Sequence, residues 1–238
     1  MFHVKQERYY MEKYEYILID LDDTIFDFKK GERASLIKVM KDMGYSLSEK
    51  EILLFSKINE KYFQKYANGE ISRDDFHNKR FNEFFNLLNI NDDFHLADAK
   101  YMEELSMATI YVDGAYDFLM KLHKKYKLFI ASNGMYEIQV SRLKKANIFD
   151  LFEKIYVSSK IGANKPDSKF YEYIFNDLND YDKSKYLMIG DRESSDIIGG
   201  INSGIDTMYF NRLNNVVKTK PTYVINSLDS FNTNILEK

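Results

Sequence analysis

The chain contains no cysteine and no tryptophan, and its 238 residues include only two prolines, ten glycines and four histidines. Without cysteine there is no disulfide framework, thiolate zinc site, iron–sulfur cluster or cysteine nucleophile, and the composition fits a reducing, cytoplasmic setting. Scarce proline and glycine disfavour linkers and a turn-rich all-β fold. His3, His77, His95 and His123 are scattered and show no HExxH-type spacing, which argues against zinc. There is no GxxxxGK[ST] phosphate loop and no GxGxxG, and Asp92-Asp93 lacks the spacing of a calcium loop. No apolar run approaches the ~18 residues of a membrane span. The opening MFHVKQERYYMEKYEY is polar and carries no signal-peptide core. Residues 1–10 read either as an extension or as a stretch ahead of an alternative start at Met11. The net charge of −3 offers no broad basic field for a nucleic acid polymer or an anionic membrane.

What is present is an ordinary globular balance, 45% hydrophobic and 30% charged, long enough for one domain or two modest ones. Tyr (19) and Phe (18) supply all the aromatics, and core and surface filling accounts for most of them. Apolar runs at 16–20 (YILID), 126–131 (YKLFIA), 154–158, 185–190 (KYLMIG), 205–210 and 222–225 read as strands. Helical patterns fall between them near 114–125, 136–147, 166–178, 194–203 and 227–236. That alternation predicts a doubly wound α/β fold, a parallel sheet covered on both faces. Residues from about 30 to 110 break the alternation, with apolar residues recurring at three and four, the pattern of four or five amphipathic helices. Ser72 and Asp74 can cap the third of these, and Gly44 and Gly69 punctuate the segment. The expected organisation is a core of 1–28 and 111–238 with a helical insert at 29–110.

The chemistry gathers at the strand ends, where open parallel sheets bind ligands. The first strand runs into Asp20-Leu21-Asp22-Asp23-Thr24. A strand rises about 3.3 Å per residue, so Asp20 and Asp22 reach one small site. Two such carboxylates stay ionised together only beside a cation or a lysine. Taken alone, the acid pair fits equally a strand end followed by a solvated acidic turn. The second strand, however, ends in Ser132-Asn133, the loop after the third carries Lys165-Pro166, and the fourth ends in Gly190-Asp191 with Asp196 five residues on. Acid pair, hydroxyl, lysine and acid at successive strand tips do not arise by chance. The Lys/Glu runs in 49–65 and 121–127 read as solvated helix faces.

This set resembles the haloacid dehalogenase (HAD) superfamily, whose four motifs match DLDDT (20–24), Ser132, Lys165 and GDRESSD (190–196). The resemblance covers about 14–28 and 112–226, and the helical insert has the position and length of that family's C1 cap. The strings SNG, KP and GDRESSDIIGGINSGIDTMYFN are most similar to the pyrimidine 5′-nucleotidase branch of YjjG/YfnB type. The resemblance implies a Rossmann-like HAD core and a Mg²⁺-dependent phosphomonoester hydrolase working through an aspartyl phosphate. It implies Asp20 as nucleophile, Asp22 as general acid–base and Lys165 as a fixed positive charge. Thr24, Ser132, Asn133 and Lys165 would hold the phosphate. The metal would take Asp20, Asp191 and the backbone carbonyl of Asp22, with Asp196 behind them orienting Lys165 or a metal-bound water. Pro166 fits the first turn of a helix. The acid at position 22 favours a phosphatase or phosphomutase over dehalogenases and P-type ATPases. Asp23 stands where many relatives carry glycine. Arg192 either touches the substrate phosphate or makes a surface pair.

Tyr62, Phe63, Tyr66, Phe81, Phe84 and Phe85 recur at three and four in the insert. They fit insert-core packing, with one or two free to stack on a base or sugar. The expected partner is a small phosphomonoester, a nucleoside 5′-monophosphate by resemblance, in a monomer or homodimer. Another C1-capped phosphatase acting on a sugar phosphate or phosphoglycolate, or a phosphomutase, is the nearest alternative. A phospho-Asp signalling module is the alternative of another class.

Overall fold

A computed structural model describes residues 13–236, so the question of an extension ahead of Met11 lies outside the described residues. The elements run β1 (Tyr16–Ile19), α1 (Phe28–Asp42), α2 (Glu49–Ala67), α3 (Arg73–Leu88), α4 (Phe94–Ser106), α5 (Ala115–His123), β2 (Lys127–Ser132) and α6 (Tyr136–Lys145). They continue with β3 (Lys154–Val157), α7 (Ser158–Ile161), α8 (Ser168–Leu178), β4 (Tyr186–Gly190), α9 (Ile198–Ser203), β5 (Asp206–Phe210) and β6 (Tyr223–Ile225). All six strands are parallel, in the order β3-β2-β1-β4-β5-β6.

Every residue of β1 is buried, as it must be in a strand flanked on both sides and covered on both faces. The pleat divides it. Ile17 and Ile19 join Leu128, Ile130, Leu187 and Ile189 under α5, while Tyr16 and Leu18 join Phe129, Tyr186 and Met188 under Phe170, Ile174 and Phe175 of α8. The chain order reverses between β1 and β4, and the crevice beyond the carboxyl ends of those two strands is where such sheets bind ligands.

Helices α1–α4 carry a core of their own, in which Phe55, Phe81, Phe84 and Tyr101 pack around one another in tilted and edge-on pairs with Leu36 and Met40. Ser48 and Glu51 close a capping box on α2. Ser72 caps α3 by accepting from Asp75 N, with Asp74 in the first turn. Two crossing segments join this unit to the sheet and are tied together: Asp27 N donates to Ile110 O at 2.8 Å, and Val112 N to Ile25 O at 2.9 Å.

Two expected helices differ. Residues 227–236 form only a short turn of 3₁₀ helix at Thr233–Leu236. Ser227 Oγ and Asn232 Oδ1 accept from the backbone two residues on, and these local bonds compete with a helix, while Leu228, Phe231 and Leu236 join the core under α5, Phe231 edge-on to Phe118. The helix after Pro166 begins two residues late. Asp167 is its N-cap, accepting from Lys169 N at 3.0 Å, so Pro166 precedes the cap and does not occupy the first turn.

Candidate active site

Asp20 leaves β1 with its N–H bonded to Ile189 O at 2.9 Å, which fixes it at the β1/β4 switch point. Its side chain is almost wholly buried, and Oδ1 accepts from Lys165 Nζ at 2.8 Å. Lys165 is buried as well. Its ammonium donates to Asp20, to Asp196 Oδ1 at 2.7 Å and to the Ala131 carbonyl, so all three protons are used. Asn133 holds the lysine in place through its side-chain amide, donating to Lys165 O and accepting from Lys165 N, both at 2.8 Å.

Carboxylate oxygens of Asp20, Asp191 and Asp196 lie within 4.8 Å of one another. The three are not equivalent. Asp196 spends Oδ1 on Lys165 and Ser195 Oγ, and Oδ2 on Arg192 N at 3.0 Å. Three of its roughly four acceptor positions are thus taken, and Asp20 and Asp191 are the acids more open to a cation. Gly190 is what lets Asp196 come so close: a Cβ there would stand 2.3 Å from Asp196 Oδ2. Burial, opposed by Lys165 and reinforced by the charges of Asp196 and Asp22, pushes the Asp20 carboxyl up to about 7. Burial and the neighbouring charges of Asp20, Asp196 and Asp23 push Asp191 well above the carboxylate range, against Arg192. Burial works against the charge on Lys165, but Asp196 and Asp20 outweigh it and hold its ammonium above the ordinary value. Such crowding of acids is a site short of positive charge, and hard oxygen donors of this kind suit a divalent cation such as Mg²⁺.

Asp22 faces the same cavity but is turned away from this cluster. Arg142 Nη1 bonds its Oδ1, and Gln139 Nε2 donates to Oδ2 at 2.7 Å. Ser132 ends β2, and its Oγ accepts from Gly134 N and from Gln139 Nε2, each at 3.1 Å. Thr24, expected among the phosphate ligands, is fully buried and off the cavity lining. Its hydroxyl donates to Asp191 Oδ1 at 3.3 Å, which places it behind that acid. Asp23 sits at φ 62°, the left-handed region that glycine adopts most readily, and Arg212 Nη2 holds its Oδ1 at 2.8 Å.

A cavity of about 770 Å³ lies over these groups, walled on the opposite side by α2–α4. Of the six aromatics singled out in the insert, only Phe63 lines it. Phe81, Phe84 and Phe85 are in the core of the helical unit, and Phe76, which the spacing did not single out, forms a second aromatic wall. Arg192 reaches across to Glu60 of α2 at 3.4 Å and also lines the cavity. Gln139 and Arg142 are the contacts that sequence reasoning missed. They bond to Asp22 across 117 and 120 residues, and their only local signal is a polar pair one turn apart on a helix that must bury a face.

This constellation belongs to a hydrolase class. Residues 17–210 match the family profile of haloacid dehalogenase-like hydrolases, and the chain is a member of that family. Among curated proteins it is 31% identical to the HAD-hydrolase YfnB of Bacillus subtilis over 92% of this chain and 94% of that one. It is 32% identical to the pyrimidine 5′-nucleotidase PynA of Streptococcus pneumoniae over 94% and 98%, and 27% identical to the pyrimidine 5′-nucleotidase YjjG of Escherichia coli over 84% and 87%. The solved structure of B. subtilis YfnB, bound to magnesium and described as revealing interdomain movement, superposes with a TM-score of 0.86 at 30% identity, covering 95% of this chain and 100% of that one. Among the described residues no helix is long and apolar enough to cross a membrane.

Proposed function

We propose that the protein is a Mg²⁺-dependent phosphatase of small phosphomonoesters, acting on nucleoside 5′-monophosphates with a preference for pyrimidines. The observation that carries the reading is Asp20: a buried carboxylate bonded to Lys165, crowded by Asp191 and open to a cavity that Asp22 also lines. In the first step an Asp20 carboxylate oxygen attacks phosphorus in line. The bond from phosphorus to the ester oxygen breaks, and Asp22 gives its proton to that leaving oxygen. In the second step water attacks the phosphorus of the aspartyl phosphate. Asp22 takes the water's proton, and the Asp20 carboxylate departs as inorganic phosphate forms. Lys165, Ser132 and the Asn133 backbone stabilise charge on the phosphoryl oxygens. Asp20, Asp191 and the Asp22 carbonyl would hold Mg²⁺, which when bound would supply the positive charge that lets two anions meet. Helices α1–α4 serve as the cap that excludes water.

The size of the cavity favours a nucleotide over a triose phosphate, since about 300–1,000 Å³ is what drug-sized ligands occupy. Phe63 and Phe76 offer aromatic faces for a base. A panel of about a hundred phosphomonoesters with Mg²⁺ tests the reading, and UMP, CMP and their modified forms are expected to lead it. A panel led by sugar phosphates would replace the substrate class but keep the reaction, and isomerised sugar phosphate without matching free phosphate would show a mutase. An aspartyl phosphate stable for minutes in the wild type would point to a signalling module.

The metal has a pH signature. With its pKa near 7, Asp20 is largely protonated below that value in the metal-free protein, and a proton competes with Mg²⁺. A carboxyl raised on folding contributes stability that is complete below its unfolded value and lost as pH rises through about 7. The rise in Tm produced by 10 mM Mg²⁺ is therefore expected to be largest near pH 8 and to shrink steadily towards pH 5. A Mg²⁺ shift independent of pH would place the ion elsewhere.

A further inference from the structure

Arg142 joins Asp22 to the segments that cross between the sheet and the helical unit. It is buried, with 2% of its side chain exposed against 29% for Asp22. Nη1 bonds Asp22 Oδ1 and donates to Gln139 Oε1 at 3.0 Å, and Nε donates to Ala108 O at 2.9 Å. The guanidinium lies 4.9 Å from the centre of the Phe26 ring. Phe26 and Ala108 belong to the two segments that cross between the sheet and the helical unit, and these are the segments that Asp27 N and Ile110 O tie together. Gln139 completes the arrangement. Its oxygen is fixed by Arg142, so its amide nitrogen faces Asp22 Oδ2 at 2.7 Å and Ser132 Oγ at 3.1 Å. Gly134 provides the room, because a Cβ there would stand 2.3 Å from that nitrogen.

A buried arginine on a carboxylate is costly to desolvate and worth keeping where geometry matters more than stability. Its planar fork fixes direction in a way a lysine does not. We propose that Arg142, seconded by Gln139, is the positioning device for Asp22: it sets the carboxyl group against the leaving oxygen and links that placement to the crossing segments of the cap. Arg142 acts through Asp22, while Gln139 acts through Asp22 and also holds Ser132 Oγ. The inference rests on the phosphatase reading given above.

The test compares leaving groups. A nucleoside 5′-monophosphate such as UMP releases an alkoxide that must be protonated, whereas 2,4-dinitrophenyl phosphate releases a stable phenolate that need not be. Positioned acid–base catalysis is worth about 10²–10⁴-fold. In single-turnover assays with Mg²⁺, Arg142→Lys is expected to slow UMP cleavage on the order of 10²-fold with KM little changed. The burst of dinitrophenolate that reports aspartyl-phosphate formation should stay within about threefold of wild type. Gln139→Leu should show the asymmetry at roughly a tenth of the size, on top of a small loss common to both esters because Ser132 Oγ also loses a donor, and it serves if the lysine variant melts early. In an Asp22→Ala background Arg142→Lys should cost less than about twofold more, since a residue acting through another has nothing left to act on. Equal losses on both leaving groups, a change in KM alone, or a full additional loss in the Asp22→Ala background would each overturn the assignment. A wild type that cleaves neither ester would instead overturn the phosphatase reading on which it rests.

Discussion

Asp20→Asn is expected to abolish turnover of p-nitrophenyl phosphate and of UMP, by a factor on the order of 10⁴ or more, while leaving the fold intact. The amide is the same size and its oxygen still accepts from Lys165, so the 2.8 Å contact survives. What it loses is nucleophilicity: an amide oxygen does not form and release an acyl phosphate, and losing a covalent nucleophile removes both displacement steps at once. The same change should raise the Tm of the metal-free protein at pH 8. Asp20 there carries a charge that burial and its acidic neighbours oppose, and the neutral amide removes it. Mg²⁺ should then stabilise the variant less than the wild type, because one of its two side-chain carboxylates is gone. Retained activity would remove Asp20 from the chemistry. Lost activity together with a lower metal-free Tm would mean that the carboxylate supports the fold rather than the reaction.

The parts of this site that were legible in the sequence share one physical property. Each sits at the end of an apolar run that is buried on both faces of the sheet, so the first polar residue after the run marks the strand tip. Asp20, Ser132 and Asp191 are found this way. Lys165 and Asp196 follow because loops after parallel strands lead into the same crevice. The helical unit was legible from its period, and the cap of α3 from Ser72. The rest depends on packing between distant segments. Periodicity puts Phe63 and Phe81 on equal terms, yet only tertiary packing turns Phe63 to the cavity and Phe81 into the core. Its motif neighbours make Thr24 look like a ligand, but the tight turn at Asp23 swings it beneath Asp191. Arg80, buried between Asp98 and Asn59, and Arg142, buried against Asp22, are charges that a sequence assigns to the surface by default. Each is inside because a carboxylate from another part of the chain was already there.

Lys165→Met should be the most destabilising single change in the site. Among the described residues the ammonium is the one cation that bonds Asp20 and Asp196 together, and Asp196 is 1% exposed. Methionine matches its length but leaves two buried carboxylates facing each other without compensation. Removing one partner of a buried ion pair costs about 3–5 kcal/mol. The pH dependence identifies the cause. A lysine raised above its ordinary value contributes stability that is complete below about 10.5 and lost only above it, so the wild type keeps this contribution throughout pH 5–9. The variant's deficit comes from its ionised acids and should be greatest near pH 8. It should narrow towards pH 5 as protons take the lysine's place, and narrow again on adding Mg²⁺, which brings charge to Asp20 but not to Asp196. Adding Asp196→Asn to Lys165→Met should recover part of the lost Tm without recovering activity, since it removes the repulsion but not the missing charge on the phosphoryl oxygens. Thermal melts of wild type, single and double variants at pH 5, 6.5 and 8, with and without Mg²⁺, decide the matter. A deficit that does not change with pH would mean that the lysine's methylene packing, and not its charge, is what the fold depends on.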